Sequence, residues 1–391
     1  MSGPLVGLRV VEMGQLIAGP FCGQLLGDMG AEVVKLEPPG AGDPMRQWGQ
    51  GDAPQWWQVI ARNKRSVSLD LRVAEGQALA RRLIAGADIV VENFRPGTLE
   101  TWGLDPAGLL AANPGLIVVR VSGYGQTGPY AGRAGFGGIG EAMGGWRAIV
   151  GDADRPPARM GVSIGDTLAA TYGCMGALAA LHHRSLTGHG QVVDAALYEA
   201  VLQVMESLIP DYTASGHVRA RSGAVLPGIA PSNVYTCCDG DYLIGANQDA
   251  VFARLCAAMG TPELASDARF AGHAARGVRQ AELDVLIGRW TATRSVAEVE
   301  AAMLAHAVPA GRIYRPADML ADPHFAARDA LIAVPGGGGT MMQGVFPKLS
   351  LTPGSVRRAA PATVGADNAE VFGALGLSAA DLDGLAARGV I

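Results

Sequence analysis

Short apolar segments alternate with helical ones over the first two hundred residues, and that alternation leaves few folds open. Leu8–Met13 (LRVVEM), Glu32–Leu36 (EVVKL), Asp88–Glu92 (DIVVE), Leu116–Val121 (LIVVRV) and Gln191–Ala195 (QVVDA) have the length and branched content of buried strands. Between the first two, Gly19–Met29 carries Phe21, Leu25, Leu26 and Met29 at helical spacing, and Gly30 is placed to end the helix. Glu75–Ala85 and the small-residue run Thr167–Arg184 are further helices, and another starts at Leu197. Strands separated by helices predict a Rossmann-like α/β domain: a parallel sheet covered on both faces.

The pattern changes near residue 210. Residues 1–210 are read as the first part of a large α/β domain and 211–229, polar and glycine-bearing, as a linker. A smaller α+β domain follows at 230–330. It opens with a hairpin over Asn233–Ile244, turning at Asp239-Gly240, and continues with helices at 249–259, 281–290 and 296–306. PGGGGT (335–340) is a turn between two strand-like pieces, and short helices lie near 367–375 and 379–387.

Composition narrows the function. A net charge of −5 is the wrong sign for a general nucleic-acid surface, although a local basic pocket for a phosphorylated ligand remains open. Five cysteines without a CxxC pair support neither a disulfide framework nor a zinc site. They read as buried thiols in a reducing cytosol, with Cys237 and Cys238 on opposite faces of a strand. The start, MSGPLVGLRVVEMG, lacks the pattern of a signal peptide, and no uninterrupted apolar run reaches bilayer length. The expectation is a soluble, cytoplasmic chain with no membrane partner.

Three local motifs carry chemistry. Gly123–Gly128 (GYGQTG) matches a dinucleotide fingerprint, but Pro129 and further glycines follow where a helix must open. Gly161–Gly165 (GVSIG) matches a nucleophile elbow at Ser163, with a helix after it but only the proline-rich loop ADRPPARM before it. Asp166 then begins the small-residue helix. It serves either as an N-cap or as a carboxylate nucleophile toward an activated carbonyl, with free N–H groups to hold the oxyanion.

An ordered set of segments extends from end to end of the chain. PLVGLRVVEMGQLIAGPFCGQLLGDMGAEVVKLEPPGAGDPMRQWG opens it, followed by RNKRSVSLDL (62–71), VENFRPGTLETWGL (91–104) and SGYGQTGPYAGRAGF (122–136). GDTLAATYG (165–173), RSLTGHGQVVDAALYEA (184–200) and DNAEVFGALGLSAADLDGLAARGVI complete it. This series resembles the family III CoA-transferases, the group of formyl-CoA and carnitine CoA-transferases. The resemblance implies a Rossmann-like large domain that binds coenzyme A as a thioester substrate, with no metal or tightly bound cofactor. It implies that 331–391 returns to complete the large domain, and that two chains interlock as a homodimer. The family's catalytic aspartate falls at Asp166.

Coenzyme contacts carry over to Ile17 and Ala18 after the first strand, to Leu69, Asp70, Leu71 and Arg72, to Asn93, Phe94 and Arg95, and to Phe136. Pro38 and Thr101 replace nucleotide-binding arginines of formyl-CoA transferases, and Ile17 replaces a glutamine, so oxalate is not the expected substrate. Phe136 and Gly137 stand where the related α-methylacyl-CoA racemases have a His-Asp pair. The expected reaction moves CoA from an acyl-CoA to a small carboxylic acid through an anhydride and a thioester on Asp166. Arg46 and Arg133 are candidate holders of a distal carboxylate, with Ile17 and Phe136 lining an apolar remainder. The expected donor is succinyl-CoA and the acceptor a four- or five-carbon dicarboxylate. A serine acyl-CoA hydrolase using Ser163, a racemase-like enzyme and a non-catalytic acyl-CoA binder remain as alternatives.

Overall fold

The apolar runs pair side by side in a computed structural model that describes residues 3–50 and 55–391. Strands β1 (Arg9–Glu12), β2 (Glu32–Glu37), β3 (Lys64–Ser68), β4 (Ile89–Glu92), β5 (Ile117–Ser122) and β6 (Val192–Ala196) form one parallel sheet in the order β3-β2-β1-β4-β5-β6. The chain runs outward from β1 to β3, then restarts beside β1 with β4 and runs the other way. This reversal opens a crevice at the C-terminal ends of β1 and β4.

Four helices matter most to this crevice and its surroundings: α1 (Ala18–Asp28), α2 (Ala74–Ala85), α3 (Gly137–Met143) and α4 (Ile164–Thr187). Side chains alternate along each strand and split the core into two layers. Ile117, Val119 and Val121 of β5 meet α1 and α4 on one face, while Val118 meets the other layer. That second layer holds Leu79 and Ile84 of α2 with Val371, Phe372 and Leu385 from the tail helices Asn368–Gly373 and Ala379–Ala387. Among the described residues, only α4 is long and apolar enough to cross a bilayer. Here it is a core helix: a Cβ on Gly173 would lie 3.1 Å from Val119 Cγ1, so its small residues permit close helix–sheet packing.

β3 (KRSVS) is a strand that the apolar pattern does not announce. Lys64 is buried within it because its ammonium lies 2.6 Å from Glu12 Oε2 and donates to the Pro20 carbonyl. The outer edge of β3 is closed by side chains. Asp367 Oδ2 accepts from Ser66 N at 2.8 Å, and Asn368 Oδ1 accepts from Ser68 N at 2.9 Å.

The chain divides into two compact units. One comprises the residues up to Trp146, Met160–Ser215 and His324–Ile391; the other comprises Arg147–Arg159 and Gly216–Pro323. Residues 147–159, read from sequence as large domain, join the second unit because Gly223 N donates to the Gly151 carbonyl and Arg221 reaches the carbonyls of Asp152, Ala153 and Arg155. The chain re-enters the first unit at His324, before the sequence boundary at 331. In the second unit β7 (Ser232–Thr236), β8 (Asp241–Gly245) and β9 (Ala310–Arg312) form an antiparallel sheet over Tyr235, Tyr242, Phe252 and Leu283. Cys237 and Cys238 lie in the hairpin turn rather than in a strand, the first buried and the second exposed.

Candidate active site

The crevice is stitched together across its two walls. The Asn93 amide, just past β4, accepts from Gln15 N at 2.8 Å and donates to the Gln15 carbonyl at 2.9 Å. Gly14 and Gly19 leave room for it: a Cβ on Gly14 would lie 2.8 Å from Asn93 Oδ1 and 3.0 Å from Gly19 Cα. α1 opens here on Ile17 with no side-chain cap, so its first N–H groups remain available at this edge. Leu16 has φ +62°, a left-handed conformation costing a branched residue about 1–3 kcal/mol. Its N–H is held by Asp43 Oδ1 at 3.0 Å.

The residues expected to touch the coenzyme on this side, Ile17 and Ala18 through their backbone, differ in what they leave exposed. Ile17 turns its side chain into a buried cluster with Met45, Trp57 and Ile60, so it offers a ligand backbone only and cannot line an apolar pocket. Ala18 is buried as well. Leu69 and Leu71 belong to the core layer beneath α2. Of that tetrad, Asp70 and Arg72 are left toward solvent, and they pair with each other at 2.8 Å.

Past β4, Phe94 N donates to Glu92 Oε2 at 2.7 Å, and Arg120 Nε holds Glu92 Oε1 at 2.7 Å. Burial outweighs Arg120 and pushes the Glu92 carboxyl up to about 6. Phe94 packs edge-on against Trp102 with centroids 4.9 Å apart. Arg95 donates to the Gly132 carbonyl at 2.7 Å, joining this loop to the one after β5.

Asp166 lies at the same edge of the sheet. Helices that follow parallel strands begin at the strands' C-terminal ends, so α1 and α4, on one face, both start there. The α4 N-cap is Ser163, which puts Asp166 at the third helical position instead of the cap. Its carboxylate rests on α3: any Cβ on Gly137 would overlap Asp166 Oδ2, and one on Gly165 would lie 2.9 Å from the Gly137 carbonyl. A side chain at residue 137 would therefore require the Asp166 carboxylate to move. One turn further along α3, Glu141 is fully buried, and a Cβ on Gly165 would be 3.4 Å from its Cγ. Sequence reading missed this second carboxylate; its only signal is a lone acid in the glycine-rich stretch GFGGIGEAMGG. Phe136, the residue before α3, is 69% exposed rather than part of the core.

The two candidate arginines differ. Arg46 directs Nε and Nη2 at Glu37 (2.7 and 2.8 Å), reaches the carbonyls of Pro361, Ala362 and Thr363, and stacks 4.0 Å over Trp57. It is saturated by its own fold and is no longer a candidate for a substrate carboxylate. Arg133 is exposed, with its guanidinium 3.6 Å over the Tyr130 ring, four residues before Gly137. A cavity of about 710 Å³ lined by Gly40, Arg46, Trp57, Ser68 and Thr363 lies beyond β2 and β3, and Asp166 does not line it. No group of metal-ligating side chains occurs among the described residues. The GYGQTG loop leads into turns until Gly137, without the helix a dinucleotide site needs, and no strand precedes Ser163 as an elbow requires.

The CoA-transferase family III model matches residues 5–368. The chain belongs to that family. This CoA-transferase is 57% identical over 395 residues to the succinyl-CoA–D-citramalate CoA-transferase of Chloroflexus aurantiacus, covering 99% of this chain and 98% of that one. It is 40% identical to the succinyl-CoA–L-malate CoA-transferase alpha subunit of the same organism, over 99% and 92% of the two chains. Among solved structures, a CAIB/BAIF family protein from Brucella suis superposes with TM-score 0.85 at 36% identity, over 96% of this chain and 100% of that one.

Proposed function

We propose that this CoA-transferase moves CoA from succinyl-CoA to a four- or five-carbon dicarboxylate, citramalate foremost, with Asp166 as the nucleophile. The observation that carries the mechanism is the Asp166 carboxylate seated on side-chain-free Gly137 at the helix edge of the crevice. An Asp166 oxygen attacks the thioester carbonyl, the C–S bond breaks, and a mixed anhydride forms with release of CoA thiolate. The thiolate attacks the aspartyl carbonyl, expelling succinate and leaving an aspartyl-CoA thioester. The acceptor carboxylate attacks that thioester, and the released thiolate takes the acceptor's acyl group, which frees Asp166. Each step exchanges one leaving group for one nucleophile, so no external acid, base or oxidant is consumed.

Arg133 is the cation suited to the distal carboxylate, and the citramalate and malate relatives support a substrate class that carries one. Phe136, exposed three residues further along the chain, is suited to cover the methylene chain. Arg95 and Arg72 remain the cations for the phosphates of the coenzyme. The reading includes a homodimer, which would cover exposed Met175, Ile209 and Tyr212; sedimentation velocity tests it.

Mass spectrometry after incubation with succinyl-CoA and hydroxylamine tests the nucleophile. A hydroxamate on the Asp166 peptide is the expected result, and modification at Ser163 would overturn it. Asp166→Ala is expected to lower kcat by about four orders of magnitude while CoA-ester binding persists. Arg133→Leu should raise the KM for citramalate by about tenfold and leave that for succinyl-CoA unchanged. If monocarboxylic acids outcompete every dicarboxylate in a substrate panel, the Arg133 assignment fails.

A further inference from the structure

Beneath the crevice lies a cluster of four charges that touches none of the reacting groups. Glu12 and Asp43 are 0% exposed and Lys35 and Lys64 are 1% exposed, so two anions and two cations are enclosed together. Lys35 Nζ lies 3.0 Å from Glu12 Oε1 and 2.7 Å from Asp43 Oδ2, and donates to the Gly14 carbonyl at 2.8 Å. Asp43 Oδ1 accepts from Leu16 N at 3.0 Å and Met45 N at 2.9 Å. Lys64 Nζ lies 2.6 Å from Glu12 Oε2 and donates to the Pro20 carbonyl at 2.6 Å. The segment from Gly14 to Pro20 is thus held at a carbonyl, an N–H and a second carbonyl by charges that hold one another. Gly23 makes room for the cluster, since a Cβ there would overlap Glu12 Oε2.

Stability alone does not account for such a cluster, because well-packed apolar residues often serve a core as well or better. Apolar residues cannot supply bonds directed at chosen backbone groups. The segment so held contains the left-handed Leu16 and the uncapped start of α1, the backbone that borders the crevice. We propose that Lys35 and Asp43 are positioning residues for acyl-CoA: with Glu12 and Lys64 they fix the 14–17 turn and the first turn of α1 against the thioester end of the coenzyme. This rests on the reading that the crevice holds the CoA ester.

The experiment is steady-state kinetics with each substrate varied in turn, on the full chain, with folded fraction measured by circular dichroism. Lys35→Met is expected to raise the KM for succinyl-CoA by about tenfold while the KM for the acid acceptor stays within about twofold. Asp43→Asn, which keeps the oxygen facing Leu16 N but not the charge, is expected to raise it by about threefold. A lowered melting temperature with both KM values unchanged would make the cluster merely structural and overturn the proposal. If neither variant folds, hydrogen exchange on the wild-type enzyme decides. The Leu16 amide should be protected as strongly as those of β1, and exchange at the rate of an open loop would refute the brace. Arg95→Ala separates the two readings: no change in succinyl-CoA KM there would count against CoA in the crevice, whereas a rise there and none in Lys35→Met removes only the brace.

Discussion

The two walls of the crevice are built on one plan and differ in how far it is carried. β1 and β4 each end in a fully buried glutamate, Glu12 and Glu92, and each glutamate takes a basic partner from the neighbouring strand. On the β1 side the network closes on itself. Burial alone would pull the Lys35 ammonium down, but Glu12, Asp43 and Glu37 outweigh it and hold it well above the usual lysine range. On the β4 side Arg120 is shared between Glu92 and the partly exposed Glu100, and the Glu92 carboxyl rises to about 6. The Lys35 ammonium is therefore held charged although burial pulls its neighbour Lys64 down, whereas the other wall is set by a carboxyl that titrates near 6. A buried charge positions backbone reliably only when its counter-charges are buried with it.

The largest effect should come from crowding the closed network. Gly23→Ala is expected to displace the Glu12 carboxylate and cost about 5 kcal/mol, read by urea denaturation or as loss of folded protein. A cost below about 1 kcal/mol would mean that Glu12 has room to move and that the two walls differ less than their ion pairs suggest. Arg120→Met strands Glu92 on the other wall, at about 3 kcal/mol.

Glu92→Gln sharpens the contrast through pH. Because the folded-state value of about 6 lies above the ordinary 4.5, the folded protein holds an extra proton between those values. Stability is therefore full below about pH 4.5, falls by about 2 kcal/mol as pH rises to 6, and is level above that. The glutamine variant should remove that slope in urea titrations run from pH 4.5 to 7. An unchanged slope would assign the titration to another group. The smallest effect belongs to Gly97→Ala, just past the β4 turn: φ is +90° but no atom lies within 4 Å of the new Cβ, so only backbone strain of about 1 kcal/mol is expected.

The sheet was legible in the sequence, and Asp166 stood out there as the candidate nucleophile, because these signals are local or ordered along the chain. Aliphatic runs marked five of the six strands, and the segment before the small-residue helix marked Asp166. β3 was not legible, since KRSVS holds a single aliphatic residue and its Lys64 is buried only because Glu12, fifty-two positions earlier, neutralises it. Arg46 and Arg133 look alike in sequence; what separates them is Glu37 and three carbonyls more than three hundred residues away. Ile17 was read as pocket and is core for the same reason, its neighbours Met45, Trp57 and Ile60 being brought in by the loop after β2.

The side-chain closure of β3 sets a schedule for synthesis. Ser66 and Ser68 leave the ribosome about three hundred residues ahead of Asp367 and Asn368, which occupy their outward N–H groups. Through most of translation the nascent sheet exposes an open, pairing-competent border of the kind that recruits other chains. A chain halted near residue 360 is expected to form soluble aggregates on size-exclusion chromatography, and restoring residues 361–370 to disperse them. Quality control of this enzyme would then be decided by the short segment carrying Asp367 and Asn368, after most of the sheet has already been made.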